Sequence, residues 1–312
     1  MSAQEMTLPL AQRLWIYQRE RFPILRTAVL VAAFSAASVN VSAFLAGRPL
    51  PAFAAYLVAF VVAFLVFMQL RVCDEVKDKE IDRRFRPALP VPRGLISLRV
   101  IVGLGLAAVP LAAISAALFE LGLLWLLALV WLWLSLMTVE FFVPHWLRAR
   151  PFFYVVSHMM IMPLLDLFVT GCEWLVAGGG PPQGLWLFLV LSFLNGCVLE
   201  VGRKIRAPDQ EREGVDTYSA LLGPGRATLL WCALVIVACG FLIAVGRAVG
   251  AMHLVGLVGL AGLAACLVAA ALYLRSPTER AQRRVDSMAG LWVLACYGAA
   301  GFAPLVATWS GL

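Results

Sequence analysis

Apolar residues in this chain come in runs of about 18 to 24, and polar residues are confined to the connections between them. Nine such runs stand out, at 24–45, 52–70, 100–119, 121–139, 152–170, 185–202, 227–245, 251–274 and 288–309. Each is long enough for a membrane-spanning helix; the sixth has the shortest strictly apolar core. Residues 8–22, with Trp15 and Tyr17 among arginines, read as an interfacial helix leading into the first span. No short apolar stretch of the kind found in a cleavable signal precedes that span. The expected architecture is an all-α integral membrane protein, with an interfacial segment at 1–23 and one nine-helix domain at 24–312. The connections at 71–99 and 200–226 carry most of the polar chemistry.

Composition agrees, with 62% hydrophobic and 14% charged residues. Charge then sets the orientation. With the N-terminus in the cytoplasm, 23 of the 25 Lys and Arg residues fall on one side, and only Arg48 and Arg247 on the other. The positive-inside rule therefore favours nine spans with a cytoplasmic N-terminus and cytoplasmic polar loops, in a bacterial inner (plasma) membrane. The net charge of +7 is a topology signal. It does not point to nucleic acid, because the basic residues are split among loops and interleaved with acids. The seven cysteines lack metal-ligand spacing and lie mostly inside apolar runs, as small buried hydrophobes do.

The densest chemistry closes the second run. Residues 74–82 hold five carboxylates: Asp74, Glu75, Asp78, Glu80 and Asp82. If the helix continues, Asp74, Asp78 and Asp82 share one face. Hard oxygen ligands at a membrane rim suit magnesium, which usually shares its shell with substrate phosphates. Arg83, Arg84, Arg86 and Arg93 follow. Carboxylates with guanidinium groups suit a metal–diphosphate complex, in which the arginines take phosphate oxygens in bidentate pairs. Ordinary helix-end ion pairs and positive-inside arginines are the competing explanation.

The connection after the sixth run repeats the theme with Glu200, Arg203, Lys204, Arg206, Asp209, Glu211, Arg212 and Glu213. Glu200 and Asp209 are candidate ligands of a second metal site that Glu211 and Glu213 would help complete, with Arg203, Lys204 and Arg206 on phosphate. A solvated charged loop explains Glu211, Arg212 and Glu213 equally well. Both loops pair acids with basic residues and a Pro/Gly element, a weak repeat suggesting two halves facing one central cavity.

Asp74-Glu75-x-x-Asp78-x-x-x-Asp82-Arg83, then Arg86-Pro87, Pro90-x-Pro92-x-Gly94 and Ile96-Ser97, resembles the first signature of the UbiA superfamily of intramembrane prenyltransferases. Arg21-Phe22-Pro23 before the first span and Leu221-Leu222-Gly223 after the second acidic loop extend the likeness. Asp74 stands where the family has Asn, Ala88 and Leu89 interrupt the proline segment, and Lys204 stands where the second signature has Asp. That last departure implies either that the Lys204 ammonium replaces a metal's positive charge or that the acceptor is unusual.

The resemblance implies a magnesium-dependent transfer of a prenyl group from a prenyl diphosphate to a small or lipid-like acceptor. Magnesium, held by Asp74, Glu75, Asp78, Asp82, Glu200 and Asp209, would stabilise the leaving diphosphate together with Arg83, Arg86, Arg93, Arg203, Lys204 and Arg206. Asp166, deep in the fifth run with Tyr154 and His158 before it, is either the group that orients or deprotonates the acceptor or a hydrogen-bonded packing residue. A terpene cyclase of the same type is a close variant. A secondary transporter is the rival of another class, disfavoured because the acids sit at helix ends and not at mid-membrane.

Overall fold

Fourteen α-helices and two single-turn 3₁₀ segments account for the regular structure in the computed structural model, which describes residues 8–212 and 216–310, with backbone only for 308–310. Glu213 and Gly214 lie outside the described residues. The helices are α1 (Leu10–Arg21), α2 (Ile24–Leu45), α3 (Phe53–Lys77), α4 (Lys79–Phe85), α5 (Leu98–Phe119), α6 (Leu123–Thr138), α7 (Pro144–Arg148) and α8 (Pro151–Met159). They continue as α9 (Ile161–Trp174), α10 (Leu185–Arg203), α11 (Tyr218–Leu222), α12 (Pro224–Ala248), α13 (Met252–Arg275) and α14 (Glu279–Ser310).

Eight helices among the described residues are long and apolar enough to cross a membrane, α8 and α9 forming one broken span, Pro151–Trp174. The expected sixth span is a regular 19-residue helix, α10. The expected fourth span is the short one. Its helix, α6, has 16 residues, because a turn at Gly122 precedes it and Glu140, Phe141 and Phe142 follow with φ of 50°, 52° and 61°. Three successive side-chain-bearing residues in the left-handed region end a helix abruptly and are costly, and such strain persists only where surrounding packing imposes it. Phe141 is wedged against Trp133 and His158, at centroid distances of 5.4 and 6.1 Å.

Consecutive long helices pack side by side, from α2 through α3, α5, α6, α9, α10, α12, α13 and α14, and α14 returns to α2. The chain thus closes a ring. At the closure, a Cβ on Gly301 would lie 2.4 Å from the Cα of Ala37, so only glycine permits this approach of α2 and α14. Asn40 spans the same seam, its Nδ2 donating to the Gly301 carbonyl at 3.0 Å and its Oδ1 accepting from the Tyr56 hydroxyl at 2.6 Å.

At one end of the ring, α1 lies across the start of the first polar loop. Tyr17, Val72, Ile96 and Ile101 form a small separate core beneath it, while Trp15 stays 63% exposed. At the other end, Glu173 is buried and held by Arg48 (2.6 and 2.8 Å) and Ser42 (2.6 Å), so one of the two cations on that side is used in a bidentate pair.

Candidate active site at the polar end

The acidic cluster keeps helical phase through its one irregular residue. The Asp78 amide donates to the Asp74 carbonyl at 2.9 Å, and the Asp82 amide to the Asp78 carbonyl at 2.8 Å. Helical phase nevertheless separates the carboxylates into three sets. Glu75 and Asp82 are seven residues apart, two helical turns, and so share a face. Both are buried, and both turn toward α1. Arg21 Nε lies 2.6 Å from Glu75 and its terminal nitrogen 3.8 Å from Asp82; Arg86 lies 3.3 Å from Asp82. The Tyr17 hydroxyl approaches Glu75 at 3.5 Å; burial, then the Glu75 charge, pushes its phenol up, so it stays a neutral donor. Glu80 faces water and pairs with Arg83 at 3.1 Å. Asp74 and Asp78, one turn apart and half-buried, make the third set.

In this division Glu75 and Asp82 fasten α1, because their face of α3 and α4 meets Arg21. Arg93 is likewise committed: it forms a bidentate pair with Glu20 at 2.7 and 2.9 Å and donates to the Ala88 carbonyl. The Arg93 fork holds the Glu20 carboxyl below the usual carboxylate range. Arg83 is exposed on the outer side, and Arg86 is occupied by Asp82.

Beside Asp74 and Asp78, the two polar loops meet on Tyr154 of α8. Lys77 Nζ lies 2.7 Å from the Tyr154 hydroxyl, and Asp74 and Asp78 both contribute to the field at Lys77. Lys204, from the second loop, sits 5.6 Å from the centre of the same ring. Below it His158 stacks on Tyr154 at 3.9 Å and 12°. The His158 Nδ1 is 2.9 Å from the Tyr154 carbonyl, which only accepts, so Nδ1 carries the proton. Its Nε2 is buried without a hydrogen-bond partner among the described residues.

Glu200 ends α10 buried, with Arg203 on one carboxylate oxygen and Lys204 at 2.8 Å on the other. The Arg203 guanidinium also feels Asp74 across the gap between the loops. Asp209 is exposed on a 3₁₀ turn, with Gln210 as its neighbour at 3.4 Å. Glu200 and Asp209 therefore form no carboxylate pair: the cations beside Glu200 are the Arg203 guanidinium and the Lys204 ammonium. Glu211 staples its own loop by accepting from Thr217 and Ser219 at 2.7 and 2.6 Å. The Arg206 side chain is exposed, while its backbone is anchored by Ser219 and Tyr273.

Asp166 lies apart from this cluster. It is wholly buried, with Ser38 Oγ at 2.6 Å from one oxygen and Tyr297 OH at 2.6 Å from the other. It ties α9 to α2 and α14 and presents no free oxygen to a substrate. Tyr154 and His158 belong instead to the polar end, because the helix breaks at Met160 between them and Asp166. Lys77 and Glu140 were not singled out from sequence. Lys77 sits among acids in the pattern, and Glu140 directly follows an apolar run. Glu140 is buried, 3.8 Å from Arg148, with its second oxygen unpartnered among the described residues.

Among the described residues, no three His, Cys, Asp or Glu side chains are arranged to hold a metal ion by themselves. Asp74 and Asp78 fit magnesium in its usual protein setting, where one or two carboxylates suffice and phosphates and waters complete the octahedron. Two open grooves of about 600 and 310 Å³ lie elsewhere, on the outer faces of the helices.

The model of the UbiA prenyltransferase family matches residues 30–294. No curated protein sequence matches the chain. Solved structures share the fold. A UbiA homologue from Aeropyrum pernix K1 superposes with a TM-score of 0.66 at 18% identity, over 86% of this chain and 96% of that one. A UbiA homologue from Archaeoglobus fulgidus bound to DMAPP and Mg²⁺ gives 0.57 at 13% identity, over 93% and 99%. A digeranylgeranylglyceryl phosphate synthase gives 0.56 at 17% identity, over 88% and 98%.

Proposed function

The chain belongs to the UbiA prenyltransferase family, and on that premise we propose that it transfers a prenyl group from a prenyl diphosphate to an acceptor held within the membrane. The observation that carries the reading is the meeting of Lys77, Tyr154 and Lys204 beside Asp74 and Asp78. Two ammonium groups and a carboxylate pair form a polar mouth at the end of an otherwise apolar bundle, which suits a diphosphate with a hydrocarbon tail. The relative from Archaeoglobus fulgidus, solved with DMAPP and Mg²⁺, supports this choice of donor.

Asp74 and Asp78 would hold one magnesium ion, which supplies positive charge to the departing diphosphate. Lys77 and Lys204 supply the rest, oriented by the Tyr154 hydroxyl and by Glu200. As the allylic C–O bond lengthens, negative charge grows on the diphosphate beside these ammonium groups and positive charge on the prenyl carbon. The acceptor then captures that carbon and loses a proton. Arg203, paired with Glu200 and facing Asp74, links the two loops around the leaving group. Nine spans, α6 included, with a cytoplasmic N-terminus would place this mouth on the cytoplasmic side, following the distribution of Lys and Arg.

The test is incubation of the purified protein with labelled prenyl diphosphates of several lengths, magnesium and a membrane extract. A labelled prenylated product that requires the extract supports transfer. Cyclised hydrocarbon formed without extract would make the protein a cyclase, and release of no diphosphate with any donor would defeat both readings.

A further inference from the structure

On the outer face of the bundle, α13 and α14 diverge to leave the groove of about 600 Å³. Its floor is apolar, with Ala265, Ala269 and Leu272 from α13 and Met288 from α14. Its upper end is not. Arg280, Arg284 and Ser287 line the groove, at i, i+4 and i+7 of α14, one stripe of the helix. Arg283 also lines it but is paired with Glu279 at 2.5 Å. Among the described residues neither Arg280 nor Arg284 forms an ion pair. Asp286, the remaining acid on this stretch, lies outside the lining and contributes to the field at Arg203.

The basic end is at the same level as the polar loops. Gln282 accepts from the Ala207 amide at 2.7 Å, and Tyr273 donates to the Arg206 carbonyl, so the helices flanking the groove also hold the second loop. The second groove, lined by Leu57, Val58, Val61, Ser115, Leu118 and Phe119, has no charge at all and offers an internal contrast.

We propose that the α13–α14 groove binds one anionic phospholipid, its phosphate on Arg280 and Arg284 and an acyl chain along the apolar floor. Free arginines at the mouth of an apolar cleft between membrane helices match the chemistry of acidic lipid headgroups. From Ala265 to Leu272 the floor is about 10 Å long, enough for the upper part of a chain. A zwitterionic headgroup places its own cation beside the arginines and gains less. The bound lipid would splint the two helices that anchor residues 206 and 207. None of this depends on which reaction the polar end performs.

The experiment titrates phosphatidylglycerol and phosphatidylcholine onto detergent-purified protein and reads bound lipid by native mass spectrometry. Phosphatidylglycerol should be retained in preference, and the Arg280→Gln/Arg284→Gln variant should lose about 10- to 30-fold of that affinity. Arg99→Gln, an exposed arginine at the start of α5, should leave it unchanged. Val268→Trp, which fills the exposed apolar wall without altering charge, should also weaken retention. Thermal unfolding of each variant checks that it is folded. Equal retention of the two lipids, or wild-type retention by the double arginine variant, would overturn the proposal. Displacement of the lipid by millimolar inorganic phosphate would reduce the feature to a plain anion site and overturn it equally.

Discussion

Lys77 and Tyr154 are 77 residues apart in sequence and 2.7 Å apart in space, an ammonium donating to a phenol that stacks on a histidine. This contact joins the first polar loop to the broken fifth span. It also fixes where Lys77 points, because a long side chain flanked by Asp74 and Asp78 would otherwise sample several ion pairs. Tyr154→Phe keeps the stack and removes the hydroxyl. A hydrogen bond to a charged group is worth about 1.5–3 kcal/mol, so kcat/KM for the prenyl diphosphate should fall roughly 10- to 100-fold. Unchanged kinetics in the folded variant would remove Tyr154 from the mechanism.

The acids of residues 74–82 should separate into two phenotypes. Asp74→Ala and Asp78→Ala should each abolish turnover while leaving thermal unfolding close to wild type. Glu75→Gln should do the reverse, because it strands Arg21 beside a buried amide. Breaking one side of a buried pair costs about 3 kcal/mol, visible as a lower unfolding temperature in detergent, with activity per folded molecule largely retained. A dead but stable Glu75→Gln protein would contradict the division of the cluster drawn above.

Spans and the acidic motif were legible because both are local: hydropathy needs only a window, and the helical spacing of Asp74 and Asp78 needs only one turn. The roles of Glu75 and Asp82 were not, because their partner Arg21 lies 54 residues from Glu75. The partners of Asp166 were hidden for the same reason. A lone carboxylate in an apolar run looks like function, and nothing nearby announces that Ser38 and Tyr297, 128 and 131 residues distant, supply its donors. The short α6 also escaped notice, since three left-handed residues at Glu140–Phe142 leave no mark on hydropathy.

Lys204 offers a test of metal stoichiometry. With its ammonium on Glu200, the second loop already carries the charge a further ion would bring. Activity should vanish with EDTA and return with magnesium along a hyperbolic, single-ion curve. Lys204→Asp should raise the magnesium concentration needed for half-maximal activity and steepen the curve. A sigmoidal wild-type titration would mean that two ions bind despite the lysine.

Asp166→Ala leaves the Tyr297 and Ser38 hydroxyls facing each other across a void. Each hydroxyl loses its carboxylate acceptor and keeps a neutral one, Ser38 on the Phe34 carbonyl at 2.9 Å and Tyr297 on Ser192 at 3.1 Å. A lost hydrogen bond to a charged group costs about 1.5–3 kcal/mol, so the unfolding temperature should drop clearly. Turnover per folded molecule should stay near wild type. A stable variant that binds donor normally yet fails to form product would return Asp166 to the chemistry.

The seat of α1 should respond to acid. Arg93 holds the Glu20 carboxyl below its ordinary value, so the pair's stabilisation is complete above the unfolded-state pKa, about 4.3, and disappears as pH falls through the lower folded-state value. Glu20 is 40% exposed, which limits the contribution to under about 1 kcal/mol. Limited proteolysis within residues 8–22 should therefore accelerate modestly toward pH 3. Glu20→Gln should be cut at the faster rate already at neutral pH. Equal cutting of both proteins at every pH would show that the pair does not hold the helix.

The seam between α2 and α14 has a bearing on biogenesis. Gly301 and Tyr297 leave the ribosome long after their partners Ala37, Asn40 and Ser38, with 261 residues separating Asn40 from Gly301. Until α14 arrives, α2 waits beside an open flank, and Asp166 lacks its phenolic donor. The ring therefore closes only once residues 297–301 have been inserted, and a nascent chain halted before residue 297 should be a clear substrate for membrane quality control.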